Sequence, residues 1–557
     1  MKRLVLPRAC CWIVVLALGA RQAWRTRFSM NPDGISYLDI GDAYWRHDWH
    51  NAVNAYWSPL YSWILGFFVN LMKPSTYWEY PLVHGVNFLI FVGALVCFEF
   101  FLETVIHAYA QGSASSKLST GELPEFFWRI LGYTLFLNTS LALNGLHLAS
   151  PDLCVAGFVY LVAALLIKIR IGTAARGAHI LLGFILALSS LAKAAMFPLS
   201  VVFFLAAFLC GGMTIASMKR TAVACISFLL IASPFVLSLS TKEGRFTFSS
   251  VGSVAYEVFV DGVDQFVPRS TRLAHPVNKL LDSPLTYEFS EPIAGTYPLW
   301  YDSSFWHEGI RPYFSVTGEK HIIIYGLAVY LYVFLNCLGV ALVTLVVLLL
   351  VAPSNNEDHK RFPSLWPITI PPVAALVLYL IVYTEPRYVA PFCCVLLVLA
   401  FSRVRTSPSR LRQFLLAFVL FVNGLSAFYF VWKADLQFAK AGDEEPIYSS
   451  VAESLSRLGV QRGDKMAVIG PEPFGQGGAF VARLGRNRIV AETSGIDLSW
   501  MGEHETCNQY SRSVKGMGVK TVLIHGEPPK SSHLKVTRLS SGYYAVEFDG
   551  GRKGDLE

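Results

Sequence analysis

The residues here that could do chemistry are few, and they recur at one kind of place, the turn beside an apolar run. Asp33 and Asp39 lie in "MNPDGISYLDIG", just past the first apolar stretch. Asp152 lies in "HLASPDLC", Lys193 in "SSLAKAAMFP", and Glu385, Arg387 and Tyr388 in "YTEPRYVAPF". A carboxylate beside a hydroxyl can take its proton as a new bond forms. Fixed cations can hold a phosphate or another developing negative charge. Charges at membrane depth are costly and usually line a pathway or a site.

Each residue also has a plainer reading. Asp33 or Asp152 could cap a helix N-terminus, Lys193 could snorkel to the interface, and Glu385 could pair with Arg387 across a tight turn. Asp39 reads as part of a solvated face. In "WRHDWH", His47, Asp48 and His50 have a metal-like spacing but read as solvated residues of an aromatic interfacial helix.

The elements that must position these residues follow from composition. The chain has 557 residues, 54% hydrophobic and only 15% charged, where a soluble protein carries about 25% charged. Its mean hydropathy is +0.45. The apolar excess comes in blocks of bilayer-spanning length, which predicts an all-α polytopic membrane bundle of about 11–13 helices. Spans are expected near 9–24, 84–106, 126–148, 151–169, 179–194, 197–214, 221–240, 322–352, 366–384, 388–402 and 413–433. The segment 58–72, "SPLYSWILGFFVNLM", is short and reads as a re-entrant or interfacial helix.

The net charge of +7 is no nucleic-acid signal, because the cations fall between apolar segments, where they set topology. Lys2, Arg3 and Arg8 put the N-terminus in the cytoplasm. Crossing at each span then places Lys168, Arg170, Arg176, Lys219, Arg220, Lys360, Arg361, Arg403, Arg405, Arg410 and Arg412 inside, as the positive-inside rule requires. The expected location is the cell inner (cytoplasmic) membrane. Loops 25–83 and 241–321 and the tail from 440 fall outside, on the same face as the charged turns. The expected division is a membrane domain, 1–435, and a small extracytoplasmic α/β domain, 440–557. In the tail, "IYSSVAESLSRLG" reads as a helix, "KMAVIG", "RNRIVAE" and "KTVLIHG" as strands, and "LKVTRLSSGYYAVEF" as a hairpin. "GPEPFGQGG" fits neither phosphate-loop spacing and reads as a plain βα loop. Nine of the ten cysteines sit in or beside apolar segments, with no CxxC pair and no disulfide framework.

The ordered set of turns resembles the GT-C superfamily of membrane glycosyltransferases. It is most similar to bacterial relatives of the protein O-mannosyltransferases and the lipid A aminoarabinose transferase. The carriers are "DGISYL" in the first outer loop, "WSPLYSWILG", "SPDL", "LAKAA" and "EPRYVAPF", and the resemblance covers roughly residues 1–435 by layout. It implies a polyprenyl-phosphate-linked sugar donor, an acceptor (protein, lipid or glycan) met on the non-cytoplasmic side, and inverting transfer. Asp33 would be the general base and Lys193, Arg387 and Tyr388 would bind the donor phosphate. Asp152, Glu385, Tyr37, Trp57, Tyr61, Asp302 and His307 would line the acceptor side or support the site. The resemblance names no certain cofactor and leaves a divalent metal possible. A second acid seen in some relatives is Gly34 here, so a divalent metal is optional at most.

Two other classes share parts of this pattern. A transporter would place its charges near the midplane and show repeats, and no two-fold repeat is evident. An O-antigen ligase or polymerase would carry arginines in a large outer loop, and 241–321 has Arg245, Arg269, Arg272 and Arg311. The same loop holds "GTYPLWYDSSFWHEG", whose aromatics suit sugar stacking or interfacial anchoring.

Overall fold

A bilayer offers backbone amides no water, so an apolar run of spanning length folds as a helix that satisfies itself. The computed structural model describes residues 2–111, 123–262, 277–289, 291, 293–302, 312–351, 365–404, 410–441, 446–470, 477–494, 497–540 and 542–547. Among them, five helices are long and apolar enough to cross a membrane: Glu79–Ala110, Asp152–Arg170, Ile215–Glu243, Val316–Cys337 and Arg412–Phe438. Six shorter apolar helices are Pro59–Met72, Ala178–Ala192, Met196–Cys210, Gly339–Leu350, Trp366–Val382 and Pro386–Phe401. The chain thus has the helical architecture that its apolar blocks predict.

The described chain forms two compact units: 1–26, 84–262 and 313–441 make one, and 27–83, 263–312 and 442–557 the other. The helical unit contains the runs from His84 onward. Two expected spans carry a π-helical turn. One is Asn138–Asn144, at the end of helix Glu125–Leu137. The other is Val333–Cys337, which splits the expected span 322–352 into helices Val316–Tyr332 and Gly339–Leu350. A π turn widens the helix and releases a carbonyl from its regular partner. Asn138 Nδ2 donates to one such carbonyl, that of Cys337, at 2.9 Å.

The second unit is built on a seven-stranded sheet of order β1-β2-β4-β3-β5-β7-β6. Its strands are β1 Val277–Asp282, β2 Leu285–Phe289, β3 Lys465–Gly470, β4 Arg488–Ser494, β5 Thr521–His525, β6 Val536–Ser540 and β7 Tyr543–Glu547. The tail's expected strands and hairpin appear where the sequence put them. The sheet also recruits β1 and β2 from the long loop. Strand β2 runs antiparallel to β4, with Tyr287 opposite Glu492, while β3 runs parallel to both β4 and β5. Helix His504–Gly516 packs Cys507, Tyr510 and Val514 into a core with Ile469, Ala491, Val522 and Ile524.

The same unit holds helices Pro32–Trp45 and Pro59–Met72. They meet at Gly41 and Gly66: a Cβ on Gly41 would stand 2.6 Å from the Ser62 carbonyl oxygen and 2.9 Å from the Gly66 Cα. Any side chain there would push the two helices apart.

Candidate active site

Helix Pro32–Trp45 begins at a proline whose fixed φ suits the first helical turn. Asn31 occupies the N-cap, so Asp33 stands inside the first turn rather than capping it. There the helix dipole favours its negative charge. Its Oδ1 accepts a hydrogen bond from the indole Nε1 of Trp300 at 3.1 Å.

Trp300 is held from several sides. Its carbonyl accepts from Ser36 Oγ at 3.2 Å and from Trp57 Nε1 at 3.1 Å. The next residue, Tyr301, accepts from Asn54 Nδ2 at 2.8 Å and donates its hydroxyl to the Asn51 carbonyl at 2.5 Å. Around Asp33 the aromatic rings form a continuous wall. Trp57 lies 6.1 Å from Trp300, and Tyr37 meets Trp57 and Tyr61 edge-on at 5.1 and 5.0 Å. Tyr61 is fully buried, which makes it a support for the wall rather than a contact surface. Asp302 closes the short helix Pro298–Tyr301 that carries Trp300. His307 lies outside the described residues.

Asp39 overturns the expectation of a solvated face. It is 8% exposed, and its carboxylate accepts from Thr296 N at 2.7 Å and Thr296 Oγ1 at 3.0 Å. Arg483 Nη1 sits 2.6 Å away. The reason is visible in the helix: every residue from Gly34 to Ala43 is buried, so no solvated face exists. Arg483 also binds Glu79 at 2.7 Å and Asp42 at 2.8 Å, and Arg486 binds Asp42 and Glu79 at 2.6 and 2.5 Å. Burial alone would raise the Asp42 carboxyl, but the two guanidiniums hold it below its ordinary value. A buried ionic knot of this kind costs desolvation and holds only while every member is paired. It also fixes the backbone beside the candidate base. Gly295, at φ +72°, lets the chain turn there, and a Cβ would lie 2.5 Å from Tyr301 and 3.1 Å from Asp39.

The knot was not legible from the sequence, although Arg483 and Arg486 stand in the apolar run "GAFVARLGR", where a charge needs a partner. Below it, Tyr297 donates its hydroxyl to Glu492 Oε2 at 2.5 Å. Burial drives the Glu492 carboxyl up to about 7, against the opposing pull of that bond.

In the helical unit, the three charged turns come together. Asp152 opens helix Asp152–Arg170, and Lys193 follows helix Ala178–Ala192 in extended backbone. Glu385 is the N-cap of helix Pro386–Phe401, which starts Arg387 and Tyr388 on its first turn. Lys193 Nζ lies 2.5 Å from Asp152 Oδ1, and Arg387 Nε lies 3.6 Å from Asp152 Oδ2 and 2.5 Å from Glu385 Oε2. Ser150 Oγ donates to Asp152 at 3.0 Å. The Lys193 ammonium sits 3.2 Å from the centroid of the Tyr388 ring, and Arg387 Nη2 donates to the Tyr388 hydroxyl at 3.3 Å. Lys193 therefore binds Asp152 rather than snorkelling away, and the Glu385–Arg387 pair is part of a larger set. Two cations and two carboxylates balance in charge, so the cations are positioned before any ligand arrives.

Asp48 caps the short helix Trp49–Ala52, accepting from the Asn51 amide at 3.3 Å. Among the described residues, no three His, Cys, Asp or Glu side chains group as metal ligands would.

No family model matches the sequence, and no curated protein matches it. Solved structures do resemble the fold. ArnT from Cupriavidus metallidurans in the apo state superposes with a TM-score of 0.55 at 12% identity, over 97% of this chain and 98% of that one. ArnT from the same organism bound to undecaprenyl phosphate gives 0.51 at 13% identity, over 96% and 97%. A looser likeness, TM-score 0.45 at 12% identity over 92% and 69%, is to the oligosaccharyltransferase AglB of Archaeoglobus fulgidus. The likeness shows the fold: the chain shares the membrane-helical architecture of the ArnT structures, as the resemblance led one to expect.

Proposed function

We propose that this chain is an integral-membrane glycosyltransferase of the inner membrane, transferring a sugar from a polyprenyl-phosphate donor to a hydroxyl acceptor with inversion. The observation that carries this reading is the Asp152–Lys193–Arg387–Glu385–Tyr388 cluster: two cations held in fixed geometry where helices end. The ArnT fold, solved with undecaprenyl phosphate, supports the same donor class. In the proposed reaction, the acceptor oxygen attacks the anomeric carbon and the bond to the phosphate oxygen breaks. The electron pair leaves with the phosphate, which Lys193 and Arg387 neutralise. The hydroxyl proton passes to Asp33. The Trp300 indole holds that carboxylate in place. Trp300, partly exposed, offers a face for a sugar-like acceptor, and the buried Trp57 backs it.

The test is direct. Purified protein given polyprenyl-phosphate sugar labelled in the sugar should release label from the lipid, and Asp33→Asn should leave it there. A protein that moves the intact donor across vesicles without cleaving it would be a transporter, and the proposal would fall.

A further inference from the structure

The groove between helices Lys2–Arg25 and Arg410–Ala441 carries chemistry that sugar transfer does not use. Asp435, 2% exposed, lies near the end of the second helix. Its Oδ2 meets Arg21 Nη2 at 3.0 Å and Arg25 Nη1 at 2.8 Å. Its Oδ1 is buried and has no hydrogen-bond partner among the described residues. A buried carboxylate oxygen left unmatched is costly. The arginines offset the charge of Asp435, but they leave the Oδ1 acceptor unmatched.

The rim of the groove is apolar and open. The Arg21 guanidinium lies 4.3 Å over the Trp432 ring, and Trp432 and Phe428 are 43% and 53% exposed. Aromatic side chains of this kind gather where the bilayer meets water. The groove therefore combines two guanidiniums suited to a phosphate, an acceptor oxygen in need of a donor, and apolar faces suited to acyl chains.

We propose that this groove binds the headgroup of a membrane phospholipid bearing a primary ammonium beside its phosphate. The phosphate oxygens bind Arg21 and Arg25. The ammonium donates to Asp435 Oδ1, and the chains lie along Phe428 and Trp432. An ammonium is favoured over a neutral hydroxyl because a charge-assisted bond is roughly twice as strong. A choline headgroup fails because it has no N–H.

The full chain should be reconstituted in vesicles of equal parts phosphatidylethanolamine, phosphatidylcholine and phosphatidylglycerol, and retained lipid read by native mass spectrometry. Phosphatidylethanolamine should be retained over phosphatidylcholine by about tenfold, the worth of one charge-assisted bond. Asp435→Asn should abolish that preference. Arg21→Gln, on a partly exposed side chain and expected to fold, should lower retention of phosphatidylethanolamine several-fold. Equal retention of the choline lipid, preferred retention of phosphatidylglycerol, or phosphatidylethanolamine retention unchanged in Arg21→Gln would each overturn the proposal.

Discussion

Arg483 Nη1 lies 2.6 Å from Asp39 Oδ1, a contact that joins residues 444 positions apart. From Asp39 the contacts run to Thr296, then along the chain to Trp300, whose indole meets Asp33. The geometry of the candidate base thus depends on an arginine in the tail. Arg483→Met leaves three buried carboxylates short of a partner, and losing one member of a buried ion pair costs about 3–5 kcal/mol. The variant should melt earlier and lose activity in parallel. Unchanged melting in detergent would mean that the knot does not stabilise this unit.

Asp33→Asn separates chemistry from architecture. The amide keeps the size and can still accept from Trp300, but it cannot take a proton. Turnover should fall by roughly 10²–10⁴-fold with melting unchanged. Asp39→Asn, which breaks an ion pair, should lower melting as well. A fully active Asp33→Asn enzyme would remove Asp33 from the reaction.

Lys193→Gln and Arg387→Gln each remove one charge from a cluster that balances at zero. Each charge-assisted contact is worth about 1.5–3 kcal/mol, so donor affinity should weaken by roughly tenfold or more. Acceptor affinity should hold. If donor titrations of both variants match the parent, the cluster serves only to pin the helix ends together.

Glu492 predicts a pH signature. Burial pushes its carboxyl up to about 7 in the fold, from an ordinary value of 4.5. Below about pH 4.5 it is protonated in both states, so the stability of the fold is fully present. As pH rises from there through 7, the unfolded chain ionises first and stability is lost, by about 3 kcal/mol in all. Glu492→Gln should flatten that decline. The same slope in parent and variant would place the titration elsewhere.

Topology can be read by labelling, but not at the native thiol. Cys507 is 2% exposed, inside the sheet's core. Gln509 is exposed on the same helix. Gln509→Cys should react with a membrane-impermeant maleimide in intact cells, above the parent's background. Reaction only after lysis would place the tail in the cytoplasm and reverse the orientation.

The legible parts of this molecule were those governed by local pattern. "KMAVIG" is β3 in full, because a short apolar run between turn residues has few other uses. The charged turns were visible because a charge beside an apolar run needs a reason to be there. Their convergence on Asp152 was not, since nothing local sets which helices become neighbours. Strand β1, "VNKLLD", is too polar and short to announce itself. Asp39 misled because an acid outside the apolar spans looks like part of a solvated face until its partner, Arg483, is known. The π turns at Asn138–Asn144 and Val333–Cys337 sit inside apolar runs whose periodicity gives no sign of them.

The placement of β2 beside β4 has a consequence for how the chain is made. Thr286 and Thr493, which face each other across those strands, are 207 residues apart. At about 5–20 residues per second of synthesis, β2 exists for roughly 10–40 s before its neighbour does. Through that interval the nascent hairpin shows an open edge, the kind of surface that pairs with a wrong strand. Biogenesis therefore carries a vulnerable window that the finished protein conceals, and premature termination before residue 488 would leave that edge open for good.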